Sequence, residues 1–190
     1  MQIPNAHYLI IDLEATCSDR AAAPHEKSVP RDEMEIIEIG AVMLDARTFE
    51  TAGEFQTFIR PVRHPELMPF CRELTHISQT DVDSAPFFRD AIMALRGWSK
   101  DFDDALFCSW GDYDRNQLQQ DCAFHGVPYP FASGHLNLKA KFSQSLGVSK
   151  RFGLDGAIHR LGLEFTGTHH RGIDDARNIA RVVQRVCMGR

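Results

Sequence analysis

The chain has 190 residues and a net charge of −5; 43% of the residues are hydrophobic and 25% are charged. This length and composition predict one globular domain, residues 1–190, with a sizeable core. We find no apolar run of membrane-spanning length, no secretion-signal pattern at the N-terminus and no C-x-x-C pair among the five cysteines, which excludes a membrane protein and a disulfide framework and predicts a cytoplasmic protein.

Charge is distributed unevenly along the chain. Residues 1–136 contain 11 basic and 22 acidic residues, whereas residues 137–190 contain 10 and 4. A basic C-terminal third is suited to a phosphate backbone, although solvated helix faces account for it equally well.

The first predicted element is a strand that ends in two carboxylates. Residues 8–11 are large and apolar, which is typical of a strand buried on both faces. Asp12 and Glu14 follow, and their spacing places both on one face of an extended chain. Neighbouring carboxylates repel each other, and a hard cation such as Mg²⁺ relieves that repulsion. The pair predicts half of a metal site, with a solvent-exposed edge strand as the alternative.

The remaining elements predict an α/β fold with a mixed sheet. A polar, aperiodic stretch predicts a loop over residues 17–33, and a hairpin follows. Apolar residues at helical spacing then predict helices around one further strand. In chain order, the predictions are hairpin strands over 35–45 and 50–59, a helical turn and loop over 71–80, a helix over 87–98, a strand over 105–109, and helices over 115–126, 139–146, 154–161 and 174–188.

A second acidic group lies at the end of the predicted strand over 105–109. Asp112 and Asp114 open the next helix there, and ligands in open α/β sheets bind at such strand ends. Either aspartate is a candidate ligand. Helix capping by an aspartate is the alternative.

A third group, T-H-H-R-G-I-D-D-A-R, opens the last predicted helix. His169 precedes Asp174 by five residues, and His170 precedes Asp175 by the same number. An imidazole that titrates near neutral pH suits a general base beside a metal-bound carboxylate. Capping is again the alternative for the two aspartates.

Together, the three motifs resemble the DEDDh family of 3′–5′ exonucleases. The segments DLEATC, EIIEIGAV, ELTHISQ, SWGDYD, NLK and GTHHRGIDDARNIAR resemble the branch that holds KapD-like bacterial proteins and Eri-type exonucleases of histone mRNA and small RNA. The resemblance implies a ribonuclease-H-like α/β fold with a five-stranded mixed sheet, in which the antiparallel hairpin strands come first and the parallel strands follow.

The resemblance also implies two divalent cations, Mg²⁺ or Mn²⁺, and a role for each site residue. Asp12 would bridge the two ions, Glu14 and Asp175 would complete the first, and Asp114 would support the second. His170 would accept the proton of the attacking water, and a nucleoside 5′-monophosphate would leave a free 3′ end. The sequence departs from the branch at one position of the ELTHISQ motif, His76, where the branch usually has glycine.

The expected substrate is a single-stranded nucleic acid 3′ end, with RNA favoured over DNA. The resemblance places Leu13 and Ala15 beside the terminal nucleotide, with Leu74 and Thr75 facing it. Three further contacts follow from residue type, each with a structural alternative. Trp110 would stack on a base or lie in the core, and Lys150 and Arg151 would contact upstream phosphates or form a solvated loop.

Two alternative functions remain at this point. One is a DNA proofreading or repair exonuclease, since nothing in the catalytic motifs distinguishes ribose from deoxyribose. The other is a regulatory module that binds a protein partner and has incidental nuclease activity. Four clustered carboxylates without a metal are unfavourable, so their retention favours a working active site. The sequence identifies no protein partner.

Overall fold

The computed structural model describes residues 5–19, 28–102, 104–132 and 134–188. Strands and helices within these residues form the predicted α/β arrangement. In chain order they are β1 (His7–Ala15), β2 (Ile36–Asp45), β3 (Thr51–Phe58), α1 (Pro69–Thr75), α2 (Gln79–Asp83), α3 (Phe88–Ser99), β4 (Ala105–Ser109), α4 (Tyr113–His125), β5 (His135–Asn137), α5 (Leu138–Ser145), α6 (Leu154–Arg160) and α7 (Gly172–Met188).

The five strands form one mixed sheet in the order β3-β2-β1-β4-β5. β1 pairs antiparallel with β2, and β2 pairs antiparallel with β3. β4 runs parallel to β1, and β5 runs parallel to β4. The predicted sheet is therefore present, with hairpin strands first and parallel strands after.

The alternation of side chains along β1 divides the core between the two faces of the sheet. Leu9 and Ile11 pack in a cluster with residues of α3 and α4. Tyr8 and Ile10 point to the other face and pack in a cluster with residues of α7. Asp12 and Glu14 continue the second series, so the acidic pair lies on the face that α7 covers.

Several elements differ in detail from the sequence prediction. Residues 71–80 contain parts of two short helices, α1 and α2, and the last helix begins two residues before residue 174. β5 was not predicted, because three residues are too few to show a period. The predicted loop over 17–33 lies partly outside the described residues. Among the described helices, none combines the length and the apolar composition needed to cross a bilayer.

Candidate active site

Asp12 and Glu14 lie side by side at the carboxyl end of β1, opposite Gly40 and Glu38 of β2. Burial, followed by the nearby carboxylates of Asp114, Glu14 and Asp175, raises the pKa of Asp12 well above its ordinary value. Burial and the same kind of repulsion raise the pKa of Glu14 to about 9. The two side chains thus lie in a region of concentrated negative charge.

Asp114 reaches this region from the first turn of α4. It is buried, and the backbone N–H of Leu13 donates to its Oδ1 at 3.1 Å. Burial raises its pKa to about 6, while the Leu13 hydrogen bond and the ammonium group of Lys139 act in the opposite direction. The hydrogen bond connects the start of α4 directly to β1, between the two acidic residues.

Asp175 enters from the first turn of α7. The backbone N–H of His170 donates to its Oδ2 at 3.2 Å. Its Oδ1 is the single buried side-chain oxygen or nitrogen without a hydrogen-bond partner in the described part of the chain. Burial raises the pKa of this carboxyl to about 6. A buried carboxylate oxygen without a hydrogen-bond partner, on a residue next to other acidic groups, is suited to a cation ligand.

His170 lies in the turn before α7, in the left-handed region at φ 58°. Partial burial of its ring lowers the pKa of His170, as do the neighbouring His169 and His76. The imidazole is therefore neutral at neutral pH and able to accept a proton. His169 is not among the possible ligand residues, and its ring stacks on Phe165 with the centroids 3.6 Å apart.

Glu14, His170 and Asp175 each present a ligand atom within 4.8 Å of the others. Asp12 and Asp114 lie beside this group: the charges of Glu14 and Asp175 raise the pKa of Asp12, and the charge of Asp114 raises the pKa of Glu14. The ligand atoms on offer are mainly carboxylate oxygens, including the unpaired Asp175 Oδ1, together with one imidazole nitrogen. Such a set suits a divalent cation. The described residues therefore provide a candidate metal centre made from β1, α4 and α7.

A close contact between two glycines lets α7 reach the sheet at this point. A methyl group added to Gly40 of β2 would overlap the backbone of Gly172 and Ile173. A methyl group on Gly172 would lie 3.0 Å from the backbone oxygen of Asp12. Backbone therefore packs on backbone, and this brings Asp175 next to the end of β1.

Two aspartates that competed for site roles have structural partners instead. Asp112 is exposed and accepts a hydrogen bond from Asn137 at 3.0 Å, besides an ion pair with Arg115. Asp174 accepts from the backbone N–H of Thr168 at 2.9 Å and pairs with Arg177 at 3.1 Å. Neither belongs to the group around Glu14.

The predicted substrate contacts fall into two regions. In the first, α1 meets the end of β1, since Cys71 Sγ donates to the carbonyl oxygen of Ala15 at 3.6 Å. Ala15 is buried at this contact, Thr75 is buried on α1 and Leu74 is half-buried, whereas Leu13 is buried in the cluster with residues of α3 and α4.

The second region is near α5 and α6. The indole N–H of Trp110 donates to the carbonyl oxygen of Phe152 at 3.1 Å, so the ring is packed against these helices. Lys150 and Arg151 are exposed, and Arg151 also bonds to the carbonyl oxygen of Ala140 at 3.1 Å. The structure brings these three residues together, away from the α1 region.

Sequence reasoning missed one charged residue at the site. Glu38 is fully buried on β2, opposite Glu14, and its charge contributes to the raised pKa values of Asp12, Glu14 and Asp175. The signal available in the sequence was that Glu38 interrupts the otherwise apolar run I-I-E-I-G-A-V of β2.

Residues 9–183 match the family model described as RNase T, Exonuclease. This chain belongs to that exonuclease family. Human ERI1 exoribonuclease 3 is 33% identical over 186 residues, which cover 94% of this chain and 52% of the relative. The probable 3′–5′ exonuclease KapD of Bacillus subtilis is 33% identical over 169 residues, covering 88% of this chain and 78% of the relative. The chain thus spans about half the length of the ERI1 exoribonuclease 3 relatives.

A solved structure confirms the fold of the family. The nuclease domain of 3′hExo, described as a DEDDh family member bound to rAMP, superposes with a TM-score of 0.87 at 29% identity, covering 100% of this chain and 95% of that one. The ribonuclease-H-like fold and the resemblance to the DEDDh exonucleases of the ERI1 and KapD type are confirmed. Enzymes of this family use divalent metal ions, in agreement with the acidic cluster.

Proposed function

We propose that this protein is a metal-dependent 3′–5′ exonuclease that removes nucleoside 5′-monophosphates from single-stranded RNA. The observation that carries the proposal is the group formed by Glu14, His170 and Asp175, in which the Asp175 carboxylate has a buried oxygen without a hydrogen-bond partner. Its membership of a family of exonucleases supports the same activity.

The carboxylates would hold two cations, Mg²⁺ or Mn²⁺. Glu14 and Asp175 would hold the first, Asp114 would support the second, and Asp12 would contribute to both. Cations bound there would lower the pKa of the attacking water and offset the charge that develops on the phosphate.

His170 supplies the proton acceptor. The water oxygen forms a bond to the terminal phosphorus while the bond from that phosphorus to the upstream 3′ oxygen breaks. His170 takes the proton of the water, and the released 3′ oxygen takes one from solvent. The products are a nucleoside 5′-monophosphate and a strand one nucleotide shorter, with a new 3′ hydroxyl.

The substrate is proposed from the relatives and from the surface chemistry. One structural neighbour is described as bound to rAMP and another as recognising the 3′ end of a histone mRNA stem-loop. Leu13, Ala15, Leu74 and Thr75 would receive the terminal nucleotide where α1 meets β1.

Upstream phosphates would follow the basic side of the molecule. A shallow groove of about 680 Å³ between α5 and the following loop is lined in part by Lys141 and Arg151. Lys139, two residues before Lys141, is close enough to the site for its ammonium group to act on the Asp114 carboxylate. Lys150 is on the same loop. This order of positive charges suits a phosphate backbone that leads away from Asp114.

The test uses 5′-labelled RNA and DNA of one sequence, each with a 3′ hydroxyl or a 3′ phosphate, in Mg²⁺, Mn²⁺ or EDTA. We expect a ladder that shortens from the 3′ hydroxyl end, needs the metal and is faster on RNA. Asp12→Asn protein is the control for a contaminating nuclease. Faster cleavage of DNA would favour the repair enzyme, and folded protein that cleaves neither would favour the partner-binding module.

A further inference from the structure

Glu38 is a buried carboxylate whose two oxygens are both occupied. Its Oε1 accepts from Gln56 Nε2 at 2.6 Å and from an Arg171 guanidinium nitrogen at 3.4 Å. Its Oε2 accepts from Arg171 Nε and from the backbone N–H of Gly172, both at 3.1 Å. A fully buried carboxylate with these donors is paired with Arg171 as an ion.

The donors on Glu38 belong to the turn that carries the proton acceptor. Arg171 and Gly172 directly follow His170, whose own backbone N–H donates to Asp175. The turn is constrained from a third side, because the Arg171 guanidinium lies 5.1 Å from the centroid of the Phe58 ring. One carboxylate on β2 thus connects the sheet to the residues on both sides of the junction with α7.

Glu38 is poorly placed to bind a cation itself. All of its strong acceptor directions face protein donors, and the group of possible ligands among the described residues consists of Glu14, His170 and Asp175 without it. Its influence on the reaction therefore passes through the turn.

We infer that Glu38 is a positioning residue: by holding Arg171 and the Gly172 amide, it sets the place of the His170 imidazole relative to Glu14 and Asp175. This inference rests on the proposed exonuclease activity and adds a residue to it. His170 has a left-handed backbone conformation, and such a conformation persists only when neighbouring contacts enforce it. Removing the carboxylate releases the Arg171 guanidinium and the Gly172 amide at once, and this lets the turn relax.

The experiment compares kcat and KM on 5′-labelled RNA for the wild type, Glu38→Ala, Glu38→Gln and the control Glu54→Ala. Glu54 is the matched control because it also joins the sheet to α7, through Arg177 at 2.7 Å, but at an exposed site. We expect kcat of Glu38→Ala to fall on the order of 100-fold, since a displacement of about 1 Å costs that much. KM should change little, because the α1 region is untouched.

The conservative variant should recover part of the loss. Glutamine keeps one acceptor oxygen, so kcat of Glu38→Gln should lie between those of Glu38→Ala and the wild type. A second reading in metal-free protein is hydrogen exchange of the Gly172 amide, which should become at least tenfold faster in Glu38→Ala and stay unchanged in Glu54→Ala.

Arg171→Lys keeps the inference testable if Glu38→Ala does not fold. Lysine retains the positive charge but cannot form the bidentate contact that Arg171 makes with Glu38, so kcat should fall while the fold stays intact. Wild-type kcat in folded Glu38→Gln and Arg171→Lys, with active wild-type enzyme, would overturn the positioning role alone. Inactive wild-type protein would instead overturn the proposed function.

Discussion

The two histidines before α7 have the same spacing to an aspartate but different surroundings. His170 contributes to the group with Glu14 and Asp175, while His169 stacks on Phe165. The sequence motif alone admits both pairs, because five residues separate each histidine from its aspartate. The left-handed turn at His170, which no periodicity reveals, decides which ring faces the carboxylates.

His170→Ala should therefore lower kcat by roughly 10²–10⁴-fold, the usual contribution of a general base. The matched control is His169→Ala, which removes a ring that stacks on Phe165 and is not among the possible metal ligands. Single-turnover cleavage of labelled RNA measures both. A large loss in His169→Ala with an active His170→Ala protein would reverse the two roles.

The backbone conformation of His76 explains why glycine is favoured at this position. The residue follows α1 with φ 56°, a left-handed cap that glycine adopts without steric cost. His76→Gly should raise the free energy of unfolding by about 0.5–1 kcal/mol, because relief of the Cβ strain exceeds the added chain entropy. Urea unfolding measures the change, and a lower midpoint in His76→Gly would show that the imidazole makes a compensating contact.

Single residues differ in how far the sequence predicted them. Asp12 and Glu14 follow from the strand end and their spacing, whereas Asp114 was separated from Asp112 only by the family resemblance; the structure places all three close together. Glu38 did not follow, because a lone glutamate in an apolar strand is also what an outward-facing strand residue looks like. Its burial depends on Arg171, 133 residues away in sequence.

At the level of elements, the position of α7 depends on the contact between Gly40 and Gly172. Gly40→Ala should displace the start of α7 and lower the free energy of unfolding by about 1–3 kcal/mol, the usual cost of overpacking, and cleavage should be lost. Gly97→Ala is the matched control, since an added methyl group there meets no atom within 4 Å.

Thermal unfolding and cleavage assays on both glycine variants test this contact. Gly97→Ala should be slightly more stable than the wild type, because alanine favours the α3 helix. Gly40→Ala with wild-type stability and activity would show that α7 tolerates a wider separation from the sheet.

Long, strongly patterned elements were predicted well, and short ones were not. β1, the hairpin and α3 carry clear apolar patterns, α4 ends at a glycine cap, and all lie close to their predicted bounds. β5 has three residues and is a strand only because β4 offers a parallel partner. The start of α7 at Gly172 reflects its packing on Gly40, which local sequence does not encode.

For the whole molecule, the raised carboxyl pKa values make the folded state bind protons more tightly than the unfolded chain. Asp114 and Asp175 have pKa values of about 6, and Glu14 has one of about 9. Because these values lie above those of unfolded chains, this contribution to stability is greatest at low pH and is lost as the pH rises through them.

A cation competes with protons for the same carboxylates, so its binding should strengthen as the pH rises. We expect Mn²⁺ affinity to increase from pH 5.5 to pH 8, by roughly tenfold per pH unit for each proton displaced. Titration calorimetry in buffers of different ionisation enthalpy measures both affinity and proton release.

Asp121→Asn is the control for this pH dependence. Burial raises the pKa of Asp121 to about 7, but its carboxylate accepts from Ile36 N–H at 2.6 Å and lies outside the group of possible ligands. Asp121→Asn should keep the pH dependence of Mn²⁺ binding, whereas Asp12→Asn should reduce that pH dependence. Affinity that does not vary with pH would mean that the cation binds elsewhere.

The overall fold was predicted as a whole because its three motifs occur in a fixed order along the chain. The five strands and their mixed directions followed from that resemblance, since periodicity alone indicates only an α/β fold. The packing of the buried acidic network depends on contacts between distant segments, which spacing along the chain does not contain.

The distance along the chain between β1 and α7 also has a consequence for protein synthesis. The ribosome synthesises Asp12 and Glu14 before His170 and Asp175, and all the elements from β2 to α6 lie between the two pairs. A nascent chain that ends at α6 holds the first carboxylates without the proton acceptor or its neighbour. Under the proposed function, an RNA-degrading site forms only after α7 has been translated and has packed on the sheet.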